Sequence, residues 1–299
     1  MTPLHALHRP AGTLSVGDDP VVLTPDEAGW EHCGLWVQRL AAGETRAFST
    51  GSAEYAVLPL AGALTVEVDG RRFDLAGRDS VFSAVTDWAY LPIDAEVRLG
   101  SVGGCEVALP SALANRRFEP VHVAAGDVAV EVRGAGAASR QVTNFCAPGA
   151  FDGADSLMCV ELLTPDGNWS SYPPHKHDGS EGCTVQNEEI YYFRVGRTGT
   201  TAYDAHGFAL HRTYTSDGIL DENVTVRDGD VFLIPRGFHG PCTAAPGYPL
   251  YYLNVLAGPD DRRSMDFCDD PAHTWVRDSW AGAPVDPRCP MTSAAGPLR

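Results

Sequence analysis

Glu188-Glu189-Ile190-Tyr191-Tyr192-Phe193-Arg194-Val195-Gly196 reads as a strand closed by a turn, and it decides the fold. Side chains alternate across a strand, so Glu189, Tyr191 and Phe193 share one face while Glu188, Ile190 and Tyr192 share the other. Upstream stands Ser171-Tyr172-Pro173-Pro174-His175-Lys176-His177-Asp178. The same alternation lets His175 and His177 present imidazoles to one point and turns Lys176 away. Downstream, Gly229-Asp230-Val231-Phe232-Leu233-Ile234-Pro235-Arg236-Gly237-Phe238-His239 is a turn, a buried strand, a proline stop and a histidine where the chain leaves the sheet. Three histidines and Glu189, facing inward in a small β-barrel, suit a divalent transition metal. A His-x-His pair alone is a weak signal; the glutamate strand and the later Pro-x-Gly-x-His give it weight.

Further out, short alternating or apolar runs continue in both directions, with almost no helical periodicity. In the first half they are Leu35–Leu40, Tyr55–Leu60, Leu64–Val68, Val81–Ala84, Val97–Leu99 and Glu106–Leu109, with a tight-hairpin signal at Asp69-Gly70. In the second half, runs at Leu157–Leu163, Thr200–Tyr203, Thr213–Thr215, Val224–Arg227 and Tyr251–Leu256 flank the quoted stretches. Glu54 precedes an apolar run as Glu189 does, and Leu91-Pro92 parallels Ile234-Pro235, which favours a duplicated barrel. The small residues between Val132 and Arg140 read as an interdomain linker, giving domains at 1–133 and 134–299. The tail from Pro259 reads as an arm wrapped on a barrel, with Asp260-Asp261 and Asp269-Asp270 as solvated charges.

The chain has 299 residues and a formal charge of −17, with no basic cluster, so nucleic acid and anionic membranes are excluded as partners. No apolar run could span a bilayer, and the N-terminus lacks a signal-peptide pattern, which makes a cytoplasmic enzyme the expectation. The eight cysteines form no C-x-x-C pair and read mostly as small buried hydrophobes. His5, His8, His32, His122, His206 and His211 lack partners at useful spacing and read as surface or satisfied histidines.

The order His-x-His, Glu-x6-Gly, Gly-x5-Pro-x-Gly-x-His resembles the two cupin motifs. It departs from them in two places. Eleven residues separate His177 from Glu189, far more than in an ordinary cupin, and a single residue separates Gly237 from His239. Glu181 stands at the ordinary spacing and competes with Glu189; the strand that follows Glu189 favours the latter. More narrowly, the stretch Thr164–Asp178, Glu188–Tyr192, Tyr251–Gly258, Arg140-Gln141-Val142 and Asp269–Trp275 resemble 5-deoxy-glucuronate isomerase of myo-inositol catabolism.

That resemblance implies an all-β bicupin, two tandem double-stranded β-helix (jelly-roll) barrels, with the metal in the C-terminal one. The N-terminal barrel, which has no His-x-His before Glu54, is then metal-free and serves packing or assembly, and the chain is expected to form a homo-oligomer. The implied reaction is aldose–ketose isomerisation of a uronate, 5-deoxy-D-glucuronate, to 5-dehydro-2-deoxy-D-gluconate. Zn2+ is the expected ion, with Mn2+ and Fe2+ as the other candidates. Glu189 and Tyr191 are the candidate proton-transfer groups, and Arg140 and Arg236 the candidate partners of the substrate carboxylate. The alternatives are an Fe(II) dioxygenase on the same ligands and a non-catalytic sugar-binding bicupin.

Overall fold

A computed structural model of the chain describes residues 7–260 and 262–298; His5 and Asp261 lie outside them. Nearly every element is a strand, and the strands form two antiparallel barrels in tandem. Asp69-Gly70 makes the expected two-residue hairpin, with both residues at positive φ (51° and 71°) and Val68 paired to Arg71. One expected turn is not a turn. Tyr55–Leu60 and Leu64–Val68 are parts of one strand, Ala53–Val68, whose register shifts on either side of Gly62. Gly62 sits at φ 81°, where a Cβ would meet the Gly104 carbonyl at 2.5 Å, so glycine lets the strand bend between sheets without reversing. Two further expected strands are absent: Val81–Ala84 is a turn, and Thr200–Tyr203 keeps only a bridge from Tyr203 to Gly196.

The second barrel is built from a seven-stranded and a six-stranded sheet. The first runs His8–Arg9, Val231–Ile234, Glu188–Val195, Leu250–Ala257, Met158–Thr164, Arg140–Cys146 and Ala129–Arg133. Ala129–Arg133 thus pairs with Arg140–Cys146, and the small residues between them are a hairpin turn inside this sheet, not a linker. Glycine and alanine let that turn close tightly, which is why their clustering resembles a linker in sequence. The six-stranded sheet contains Asp221–Val226, Ala209–Tyr214, Phe238–Ala244, His175–Lys176 and Cys268–Asp269, with Trp169–Ser170 also on Phe238–Ala244.

Strand register also revises how the halves correspond. Glu54 lies opposite Ala112 and Glu188 opposite Ala257, while Tyr55 lies opposite Leu91 and Glu189 opposite Ile234. Glu54 is therefore the counterpart of Glu188, and the counterpart of Glu189 is Tyr55. Tyr55 packs with Trp36 and Phe48, ring centroids 5.8 and 5.5 Å away, within the apolar interior of the first barrel.

The two matched carboxylates lock the barrels together. Glu54 is fully buried and accepts hydrogen bonds from the backbone N–H groups of Asp155, Ser156 and Leu157 at 2.6–2.9 Å, and from the Tyr90 hydroxyl at 2.6 Å. Glu188 accepts from Glu31, His32 and Cys33 N–H at 2.8–3.1 Å. Each carboxylate thus caps the strand entry of the opposite barrel. Buried Arg78 pairs with Glu161, and Arg194 with Glu106, again across the seam. Replacing Glu54 by Ala strips four donors of their acceptor in a dry site, where each unmet group costs about 1–3 kcal/mol. Glu54→Ala should lower the free energy of unfolding by about 3 kcal/mol or more in denaturant titration, and Glu54→Gln by less; an unchanged midpoint for both would contradict this role.

Candidate metal centre

His175 lies directly opposite His239 on one side and Asp269 on the other. The close passage behind them depends on Gly240, at φ 98°, where a Cβ would lie 1.7 Å from the Ser171 carbonyl oxygen. Asp178 ties the His-x-His segment to the His239 turn by accepting from Gly237 N–H at 2.9 Å. Glu189 enters from the facing sheet, and one oxygen of it lies within 4.8 Å of a nitrogen of both His177 and His239, all three residues being buried. His175 stands at the edge of this trio, half-buried, its ring centroid 4.4 Å from that of His239 and 6.4 Å from that of His177.

Each histidine places Nδ1 against a backbone carbonyl: His175 on Pro173 at 3.2 Å, His177 on Asn187 at 3.2 Å and His239 on Gly237 at 3.4 Å. A carbonyl only accepts, so Nδ1 carries the proton in each neutral ring and Nε2 keeps a bare lone pair. Nε2 of His177 and of His239 each lie 3.1 Å from Glu189 Oε2. The His239 contact lacks hydrogen-bond geometry, leaving a fully buried nitrogen without a donor. Glu189 Oε1 is held by the Asn254 side-chain amide at 2.8 Å. At His239 a bare lone pair faces the carboxylate, and at His177 a cation can take the place of the proton that Nε2 shares with Glu189, so the residues fit a divalent metal.

The electrostatics differ from residue to residue. Burial opposes ionisation of Glu189, but the charge of His239 and the hydrogen bond and charge of His177 outweigh it and hold the carboxyl well below the usual range. Burial, with the neighbouring His239 and His177, pushes His175 well below the ordinary histidine value, which suits a neutral ligand. Burial also opposes protonation of His177, yet the Glu189 hydrogen bond and charge raise it overall.

Lys176 points away as alternation predicts, donating to Ser180 Oγ at 2.6 Å and to the Glu181 carbonyl at 3.2 Å. Glu181 itself is exposed, and Glu189 is the carboxylate brought to the histidines. Tyr191 and Arg140 line the same cavity of about 370 Å3, whereas Arg236 is exposed on the turn before His239 and is absent from that lining. Clefts of about 550 and 500 Å3 lie elsewhere, but the histidines open into neither, so chemistry and not size marks the site. His211 is a satisfied core histidine, bonded to Thr213 Oγ1 and Cys242 Sγ and pushed down to about 3 by burial.

Several residues at the site escaped sequence reasoning. Asn254 gave a readable signal, a lone amide in the buried run Leu250–Ala257. Ser171, Phe267, Arg277 and Trp280 gave none, because they reach the cavity through a loop and through the tail. Asp269 and Asp270, expected as solvated charges, are engaged: Asp269 holds Arg277, and Asp270 accepts from the Tyr214 hydroxyl at 2.5 Å. Cys183 and Cys268, expected as plain hydrophobes, form a disulfide between the long insertion and the tail, while Cys33, Cys146, Cys159, Cys242 and Cys289 are free and buried.

Two tandem antiparallel barrels, one with a His/Glu cluster in its mouth, define a bicupin. An oxalate decarboxylase from Lactobacillus farciminis shares this fold at a TM-score of 0.62 and 14% identity, over 89% of this chain and 90% of that one. The chain belongs to the KduI/IolB family, which matches residues 9–276. An IolB-like protein from Salmonella typhimurium superposes with a TM-score of 0.82 at 32% identity, over 91% of this chain and all of that one. Among curated relatives, the 5-deoxy-glucuronate isomerase of Geobacillus kaustophilus is 38% identical over 87% of this chain and 91% of its own. That of Bacillus velezensis is 34% identical over 91% and 98% respectively. The protein is an enzyme, an isomerase.

His177→Ala and His239→Ala should each lose the bound divalent ion on dialysis, read by elemental analysis. Glu181→Ala should keep it at wild-type stoichiometry; the reverse pattern would move the ligand set to Glu181.

Proposed function

We propose that His175, His177, Glu189 and His239 hold one divalent ion, Zn2+ by the hard-to-borderline character of three imidazoles and a carboxylate, in the isomerisation of 5-deoxy-D-glucuronate to 5-dehydro-2-deoxy-D-gluconate. The single observation that carries the reading is the buried group His177, Glu189 and His239, with Nε2 of both histidines 3.1 Å from one carboxylate oxygen and His175 beside it. When bound, the ion acts as a Lewis acid toward the substrate's carbonyl and hydroxyl oxygens. No electron leaves the substrate, so a redox-inert metal suffices, and a place in inositol breakdown follows from the substrate.

The reaction moves the C2 proton to C1 and the O2 proton to O1. Glu189 is the group we assign to accept and return the carbon-bound proton, a role that requires its carboxylate to leave the ion for that step. Tyr191 is fully buried, and burial together with the nearby carboxylate raises its phenol well above the ordinary value, so it donates a hydrogen bond to a substrate oxygen and does not act as a base. Its hydroxyl is positioned by Ser171 Oγ at 3.1 Å, which also contacts the Tyr252 hydroxyl at 2.8 Å.

Arg140 is assigned to the substrate carboxylate. It is buried, and among the described residues its Nε has no partner, its one hydrogen bond goes to the Ala138 carbonyl at 3.1 Å, and no carboxylate forms an ion pair with it. Burial and the charges of Arg133 and Arg277 push it down to about 10. An unpaired buried guanidinium facing a cavity calls for an anion. Arg236, being exposed, does not take this role.

We further propose a cytoplasmic homo-oligomer; among the described residues no helix is long and apolar enough to cross a membrane.

In heavy water, NMR should show conversion of 5-deoxy-D-glucuronate with solvent deuterium at the new C–H position, abolished by chelation and restored by Zn2+. Conversion that survives complete metal removal would sink the metal mechanism. Arg140→Met should raise KM about ten- to a hundred-fold, the worth of a charged hydrogen bond, while Arg236→Met leaves it unchanged.

A further inference from the structure

The cavity at the metal centre has two poles. Glu189 is the carboxylate in its lining, beside the histidines, and the cations Arg133, Arg140 and Arg277 also line it. In a chain of net charge −17, three guanidiniums on one cavity are a concentrated exception. Arg133 is paired with Glu131, and Arg140 has no ion pair among the described residues. Arg277 comes from outside the barrel, on the turn of helix Trp275–Asp278, beyond the last long strand, Leu250–Ala257.

Its placement is specified in detail. Asp269 binds Nε at 2.5 Å and Nη2 at 2.7 Å, a bidentate fork that fixes the guanidinium plane and leaves Nη1 outside the pair. Asp269 is itself the backbone partner of His175, so one short strand links a metal ligand to this arginine. The Arg277 guanidinium lies 5.1 Å from the Phe267 ring and 5.4 Å from the Trp280 ring, and Trp280 is also 5.9 Å from the Arg140 guanidinium. One indole is therefore seated against two like-charged groups that both face the cavity. Asp269 on Arg277 and the cation–π attraction offset part of their repulsion, and a bound anion would offset the rest. An ion pair serving only to pin the tail would need neither the cavity-facing position nor the shared indole.

We propose that the C-terminal arm is the selectivity element of this cavity: Arg277, oriented by Asp269 and seated on Trp280, joins Arg140 in binding the substrate carboxylate and so admits uronates over neutral aldoses. The inference rests on the isomerase reading and adds to it a residue supplied by the tail. Arg277 is thereby a specificity-determining residue, and it takes no part in moving protons.

The test compares wild type, Arg277→Met and Arg277→Lys, all metal-loaded, on 5-deoxy-D-glucuronate and on its neutral counterpart 5-deoxy-D-glucose. Arg277→Met should raise KM for the uronate about ten- to a hundred-fold with kcat within about two-fold, and leave kinetics on the neutral sugar unchanged. Arg277→Lys, which keeps the charge without the fork, should recover part of the loss, and it decides the matter if the Met variant does not fold. An equal loss on both sugars, or an unchanged KM for the uronate, overturns the proposal while leaving the isomerase reading intact. Wild type that fails to convert the uronate overturns both.

Discussion

Three imidazoles are held with Nδ1 against backbone carbonyls, and much of the second barrel is arranged so that this is possible. The carbonyls of Pro173, Asn187 and Gly237 orient the three rings, and Nε2 of His177 and of His239 each come to 3.1 Å from Glu189 Oε2. Such preorganisation requires the strand carrying His239 to pass very close to Ser171, which only a glycine at position 240 permits. It also requires Glu189 to face inward, and a one-residue slip of its strand would turn that side chain to the opposite face. Asn254 completes the arrangement by occupying the carboxylate oxygen that the histidines leave free.

Duplication explains the second face of the same strand. Glu188 and its counterpart Glu54 point outward from their barrels, and each caps the strand entry of the other half. One pair of equivalent positions therefore serves assembly in both barrels. The neighbouring pair has diverged: Glu189 faces His177 and His239, and Tyr55 fills the corresponding place with an aromatic cluster. The first barrel thus keeps the architecture and spends its interior on packing, while the second leaves part of its interior open.

The alternation of Glu189, Tyr191 and Phe193, the His-x-His pair and the terminal His239 were legible in sequence because each depends only on period-two geometry and on residue chemistry. The preference for Glu189 over Glu181 was legible for the same reason, since only Glu189 heads a strand. The pairing of Glu54 with Glu189 went wrong by one residue, because adjacent carboxylates at 188 and 189 look alike until inter-strand register assigns their faces. Arg236 was a candidate by its chemistry alone, a guanidinium for a carboxylate, and it is exposed and outside the cavity lining. Contacts made through the tail, Arg277 with Asp269 and Cys183 with Cys268, carry no periodic signal, because they depend on where an irregular arm returns to the barrel.

The central claim is that three histidine nitrogens and one carboxylate oxygen converge on a single ion. X-ray absorption at the metal edge of the zinc-loaded protein tests it most directly. The account predicts a first shell of nitrogen and oxygen scatterers with the outer-shell pattern of three imidazoles, falling to two in His175→Ala. A sulfur scatterer in the first shell, or fewer than three imidazoles in the wild type, would contradict it.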